Sequence, residues 1–317
     1  MAILQSTTIS GSNANTGSLQ VTGSTVIFPI IESSLTSSFS GSGKMWINAD
    51  TQNLQYSIQS SLGTVNSPAK FLGAWSAGGT MSTCRGRGVQ GAGSQNAALA
   101  MGGVGDYDAT EEYNGSTFAS GPNMPANGFQ FEGTGTQNAA LAMGLYPNRT
   151  EAAEYDGSAW AAVTDSPVST RFGVGGGVQN AAWVYGTFPA LTATLHYNGS
   201  AWSTSANSQL SSNIYGAGAG AQNAALVAGA IAPNIGKAQV YDGSTWALSQ
   251  TMNTGRSDMG ASGTQYGAVF FGGRCSPSVG CCTKTEEWNG VSWSTSLELP
   301  VKTERGGGLN GASTQAA

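Results

Sequence analysis

Along this chain apolar and small polar residues alternate in runs of four to seven, and nowhere in the repeated region do they take the spacing of a helix face. The runs return in groups of four. Residues 128–163 show the unit: Phe129 to Gly135, Ala139 to Gly144, Glu151 to Tyr155 and Ser158 to Ala162 read as four successive strands. Asp156-Gly157 between the last two is a hairpin signal, and a type I′ turn is expected there because Asp-Gly accepts positive φ. The unit recurs five times. Its Gln anchors are Gln95, Gln137, Gln179, Gln222 and Gln265, at steps of 42, 42, 43 and 43 residues. A second anchor keeps phase at Tyr113, Tyr155, Tyr197, Tyr241 and Trp288. A period of this length with four short strands predicts an all-β propeller, one four-stranded blade per repeat.

The ends of the pattern predict closure. Phe71-Leu72-Gly73-Ala74-Trp75 matches a fourth strand one period before Phe118, and residues 304–317 restart a first strand that stops just after Gln315. Residues 44–48 and 54–58 read as the hairpin between them. The expected fold is therefore a six-bladed propeller over residues 44–317, closed by N- and C-terminal strands sharing one blade, with a short β-rich extension over residues 1–43. Such closure protects sheet edges. The first strands are rich in glycine (Gly91, Gly93, Gly133, Gly135, Gly175 to Gly177, Gly218 and Gly220), which permits close approach of neighbouring blades. Trp160, Trp202, Trp246 and Trp293 recur in the fourth strand and are expected to pack between blades.

Composition narrows the function. Charged residues make up 9% of the chain, against roughly 25% in ordinary soluble domains, and 47 glycines accompany abundant Ser, Thr, Asn and Gln. The formal charge of −5 supplies no basic stripe, so nucleic acid is not an expected partner. The longest apolar stretch near the N-terminus, Val26 to Ile31, is too short to span a bilayer and contains Pro29, so no membrane insertion is expected. No Lys or Arg precedes Lys44, so release on lysis rather than secretion by a charged leader is the expected route.

The layout resembles the kelch-type propellers. The carriers are Gly102-Gly103 and Gly272-Gly273 after the second strand, Tyr before the last turn, Trp in the fourth strand, and Arg85, Arg171, Arg256 and Arg305 entering the first. The double glycine is absent from the middle three blades, and Asn127 and Ser212 stand near where Arg belongs. The phrases GxGxQNAALAMGG, TEEYNGS and LGAWSAGG, with a Ser/Thr/Gly-rich N-terminus, resemble more closely the kelch-like structural proteins of tailed bacteriophages of marine cyanobacteria. That resemblance implies a virion protein: a tail-fibre, tail-tip or capsid-decoration component, assembled in the host cytoplasm and carried on the extracellular particle.

Candidate chemistry is sparse. A copper radical oxidase site, present in some kelch-related propellers, needs two His ligands, and this chain has only His196. Metal-hydrolase and Ser-His-Asp schemes lose their base for the same reason. Glu111-Glu112 and Glu286-Glu287 are adjacent on strands, so the members of each pair face opposite sides. Asp106 and Asp108 are too few for a calcium loop. No catalytic residue, metal or cofactor is expected. Cys275, Cys281 and Cys282 crowd one loop, and a disulfide from Cys275 to Cys281 or to Cys282 would pin it; free thiols are the alternative.

Strand order assigns the loops to two faces. The Gln-Asn turns and the Tyr-(Asn/Asp)-Gly-Ser turns share one face and barely vary. The loops after the second and fourth strands share the other and differ in every repeat, as recognition loops on a rigid scaffold do. Tyr107, Tyr146, Arg149 and Phe188 are the candidate contacts for a host glycan or protein. Residues 1–43 alternate like exposed strands, and a lone two-stranded segment is marginal in water. They are expected to dock on other virion proteins or on further copies of this chain, making a homo-oligomer in the particle. A secreted or surface lectin-like propeller is the alternative function.

Overall fold

The structure is a computed structural model. It describes residues 75–303 except 87, 106, 130, 188–191, 206, 211–214, 232 and 276–281, together with the strand backbone at Ile30–Ile31, Met45–Asn48, Asn53–Ile58 and Ser61–Pro68. The chain forms two compact units, residues 1–71 and 72–317.

The second unit contains five antiparallel four-stranded sheets and, among the described residues, no helix. Blade one comprises Gln90–Ser94, Ala97–Met101, Thr110–Tyr113 and Phe118–Ser120. Blades two to five begin at Glu132–Thr136, Val174–Val178, Ala217–Ala221 and Gly260–Thr264. They end at Trp160–Val163, Trp202–Thr204, Trp246–Leu248 and Trp293–Thr295. Strands follow chain order across each sheet, and the first strand of each blade packs beside the first strand of the next. This is a β-propeller. Among the described residues it shows five blades where six were expected.

The recurring phrases have separate mechanical jobs. Tyr113, Tyr155, Tyr197, Tyr241 and Trp288 lie opposite Phe118, Trp160, Trp202, Trp246 and Trp293 in the ladder between third and fourth strands. Their rings sit 4.7–5.2 Å apart, a cross-strand aromatic pair in every blade. The turn between them differs from the expected type I′. Four residues intervene, and only the glycine has positive φ, between 89° and 93°. The side chain of Asn114, Asp156, Asn198, Asp242 or Asn289 accepts the amides two and three residues on, at 2.7–3.0 Å. That side-chain bond holds the turn, so positive φ is not needed at the Asx position.

Gln joins the blades. Gln137, Gln179, Gln222 and Gln265 each donate from Nε2 to two carbonyls of the preceding blade at 2.7–3.1 Å. For Gln222 the acceptors are Ala182 and Tyr197. One amide group thus satisfies two carbonyls at the blade junction. Between blades the core is small-residue packing. A Cβ on Gly218 would lie 2.6 Å from Val174 Cγ1 and 2.8 Å from Trp183 Cη2, so any larger residue would push blade four away from blade three.

The first unit carries one sheet in the order Ile30–Ile31, Met45–Asn48, Asn53–Ile58, Ser61–Pro68. Its first pair is parallel and the others antiparallel. The hairpin expected at residues 44–58 pairs as a hairpin within this sheet. Trp75, expected in a fourth strand, is described but carries no strand pairing. The strand segments expected within residues 1–29, most of Phe71 to Trp75, and the restart at residues 304–317 lie outside the described residues.

Candidate recognition face

Two kinds of blade reach the variable face. In blade one the Arg85 guanidinium is fully buried, bonded to the Gly102 and Ala109 carbonyls and paired with Glu111 at 3.0 Å. Blade five repeats this with Arg256, the Gly272 and Lys284 carbonyls, and Glu286 at 3.3 Å. The double glycines belong to this arrangement, since each supplies a carbonyl to the arginine. Burial alone would raise the Glu111 carboxyl, but the Ser82 hydroxyl, the Ser82 and Thr83 amides and Arg85 together hold it below its ordinary value. Neighbouring Glu112 points the other way and accepts from Tyr155 Oη of blade two. Glu287 likewise accepts from Ser296 Oγ. The adjacent carboxylates are structural and separate.

Arg171 departs from that pattern. It stands three residues ahead of its first strand, whereas Arg256 stands four ahead, and the third-strand position equivalent to Glu111 and Glu286 is Leu195. Its guanidinium instead lies 4.2 Å over the Phe172 ring. The sequence held this signal in the register offset and in the missing glutamate.

Three of the four candidate residues converge. Tyr107 and Tyr146 come from loops of neighbouring blades and are 41% and 53% exposed. Residues 127–129 tie them together: Gly128 N donates to Tyr107 O, and Tyr146 N donates to Asn127 O. The Tyr107 ring meets Phe129 edge-on at 6.0 Å. Arg149 donates to the Phe129 carbonyl and stacks its guanidinium 5.3 Å from the Tyr146 ring centre. Arg149 itself has φ 67°, unusual for a side-chain-bearing residue. Burial lowers its pKa, and the charge of Arg171 adds to that against the opposing influence of Tyr146 and Glu151. Phe188 lies outside the described residues.

Phe129, Phe172 and Tyr215 were not singled out by the sequence, yet they extend the patch. Phe172 and Tyr215 pack at 4.6 Å and have φ 60° and 63°. Each stands two residues before its first strand, as does Asp258 with φ 55°. The left-handed turn aims each amide back around the ring. Tyr215 N donates to Phe172 O and Asp258 N to Tyr215 O, forming a collar that links three blades. Bulky residues held in this conformation are strained positions of the kind found at binding sites.

The remaining candidates are accounted for locally. Cys275 is bridged to Cys282, with Cα atoms 6.0 Å apart, so Cys281 is not its partner; Cys281 lies outside the described residues. Arg256–Ser257 and Arg274–Cys275 pair as a small antiparallel ribbon that carries Cys275. Cys84 is a free, exposed thiol. Asp108 accepts from Asn123 Nδ2 at 3.2 Å, and no cluster of metal-ligating side chains occurs among the described residues. His196 packs edge-on against Tyr241, and burial lowers its pKa, keeping it neutral at pH 7.

The fold and this face define the class: a β-propeller with one uniform and one variable face. No protein-family model matches the chain, and no curated protein matches it in sequence. Among solved structures, that titled "Structure of YjhT" superposes with a TM-score of 0.60, covering 72% of this chain and 88% of that one. At 11% identity the likeness concerns the fold alone.

Proposed function

We propose that the chain is a non-enzymatic structural protein of a phage virion, a tail-fibre, tail-tip or capsid-decoration component. Residues 1–43 anchor it to other virion proteins, and the propeller displays its variable face for contact with the host surface. The observation that carries this reading is the patch of Tyr107, Phe129, Tyr146, Arg149, Arg171, Phe172 and Tyr215, set against an opposite face built from one repeated turn. Aromatic faces suit the C–H surface of sugars, and the guanidinium of Arg149 suits carboxylate or sulfate groups. The host ligand is therefore an acidic surface glycan. The buried Arg-Glu pairs with their double glycines in blades one and five support assignment to the kelch type. The same patch favours the second reading, a free lectin-like propeller.

Deletion of residues 1–43 separates the two. In the virion reading the truncated protein keeps its melting transition and its binding to acidic glycans on an array but no longer enters particles. A lectin acting free of particles shows equal glycan binding with and without the deletion, and the full chain is absent from purified virions. Turnover of any arrayed glycan by the full chain would overturn both.

A further inference from the structure

Four Asn-Gly pairs occur among the described residues, and they are of two kinds. Asn114-Gly115, Asn198-Gly199 and Asn289-Gly290 form the turns between third and fourth strands. There the carboxamide oxygen accepts from two backbone amides, those of Ser116 and Thr117, Ser200 and Ala201, or Val291 and Ser292. The fourth pair, Asn127-Gly128, lies on the variable face, in the loop between Phe118–Ser120 of blade one and Glu132–Thr136 of blade two. Asn127 is exposed, and no described residue bonds its carboxamide. Its backbone is fully engaged: Asn127 O accepts from Tyr146 N, Gly128 N donates to Tyr107 O, and Gly128 O accepts from Gly103 N. Gly128 is buried, and an added Cβ would sit 2.7 Å from Phe131 Cε1 and 2.8 Å from Met124 Cε. Packing therefore requires the glycine and leaves the asparagine side chain free.

A glycine nitrogen is the least hindered backbone nucleophile, because no Cβ stands beside it, and asparagine is among the chemically labile side chains. We propose that Asn127 is a self-modification site, at which the Gly128 nitrogen attacks Asn127 Cγ and closes a succinimide. The N–Cγ bond forms, the carboxamide C–N bond breaks, and the Gly128 N–H proton departs with the released nitrogen as ammonia. Water then adds to one imide carbonyl and cleaves its bond to nitrogen. Opening at Cγ gives aspartate on the original main chain. Opening at the α-carbonyl gives isoaspartate, whose main chain runs through Cβ and Cγ. No oxidant or reductant is needed. At the three turns, two hydrogen bonds must break before Cγ can turn onto the next nitrogen; at Asn127 only the bond from Gly128 N to Tyr107 O must break.

That same bond holds the Tyr107 loop in the recognition patch, and the imide has no N–H with which to make it. In isoaspartate the carbonyl that accepts from Tyr146 N leaves the main chain as a carboxylate. Either product places a negative charge beside Tyr107, Tyr146 and Arg149, and like charges facing each other across an interface weaken binding. The modification thus ages the recognition face. This consequence rests on the acidic-glycan reading; the modification itself does not.

The full chain, incubated at mildly alkaline pH and sampled over days, tests both parts. Peptide mass spectrometry follows each pair, while retention on immobilised acidic glycans follows the face. Asn310-Gly311 lies outside the described residues and is left out of the comparison. Asn127 is expected to deamidate first, as mixed aspartate and isoaspartate, with retention falling in step. Asn127→Ser, aged alongside, should keep both its retention and its melting transition. Deamidation at Asn114, Asn198 or Asn289 ahead of Asn127, or none at Asn127, would overturn the modification. Complete conversion at Asn127 with unchanged retention would overturn its effect on the face. A fresh chain that no acidic glycan retains contradicts the glycan reading alone, and the order of deamidation still decides the modification.

Discussion

Blades one and five differ from blades two to four in what they bury under the variable face. The end blades close it with a fully buried arginine and glutamate. At the position of Glu111 and Glu286 the middle blades carry Ala153, Leu195 and Gln239. Gln239 keeps part of the arrangement, accepting the Gln209 amide and donating to Tyr185 Oη; the other two are simply apolar. The same backbone therefore tolerates an ion pair, a neutral network or hydrocarbon. The ion pair fastens the incoming loop to the third strand of its own blade, through the amides of Ser82 and Thr83 or of Asn253 and Thr254. Blades two to four have a blade on each side joined through Gln; the end blades have one such neighbour and carry the internal tie.

The largest effect should come from breaking one partner only. Arg256→Met leaves Glu286 buried without its cation, and urea unfolding should show a loss of about 3–5 kcal/mol. Arg256→Met combined with Glu286→Leu imitates blade three and should recover most of that loss. Equal destabilisation by the single and double variants would show that the pair contributes more than an apolar replacement.

Glutamates of the two regions also titrate in opposite directions. Glu111, held by Arg85 and three hydrogen bonds, is lowered. Glu132, in the first strand of blade two, is pushed up to about 8 by burial, and only the Gly175 amide at 3.2 Å opposes it. A group raised in the folded state keeps its proton where the unfolded chain loses it, so stability falls as pH rises from about 4.5 to about 8. Glu132→Gln should remove that slope and stabilise the protein at pH 8 relative to the native chain. Glu111 has the reverse sign: its contribution is present above the ordinary carboxylate range and is lost as pH falls through its lowered value. Melting curves from pH 3 to 9 measure both.

Smaller effects follow at the junctions and on the face. Gln222→Ala removes two hydrogen bonds between blades three and four and should cost about 1–2 kcal/mol in the same unfolding assay. Arg171→Ala should weaken retention on acidic glycans about tenfold or more. Unchanged retention would remove Arg171 from the binding patch.

Most of the blade architecture is written in local pattern, because the residues that build it act within one period. In blade two the third strand coincides with its expected span of Glu151–Tyr155, and the first and fourth begin two to three residues later than their apolar runs suggest. The turn before Trp160 was misread because Asp-Gly serves both a type I′ turn and a side-chain-held turn, and only the backbone distinguishes them. The variable face was legible in part. Loop variation pointed to Tyr107, Tyr146 and Arg149, but Phe172 and Tyr215 depend on a left-handed conformation in non-glycine residues, which nothing in local composition marks. Arg171 matched Arg85 and Arg256 in the sequence pattern, but it stands three and not four residues ahead of its strand, with Leu195 at the glutamate position.

Quantitative mass spectrometry of purified virions, with copy number set against the major capsid protein, tests the central claim most directly. The account predicts this chain at a fixed stoichiometry, with few copies in a tail and many in a capsid decoration. Its absence from virions that are otherwise complete would contradict the structural role and leave a free glycan-binding propeller in its place.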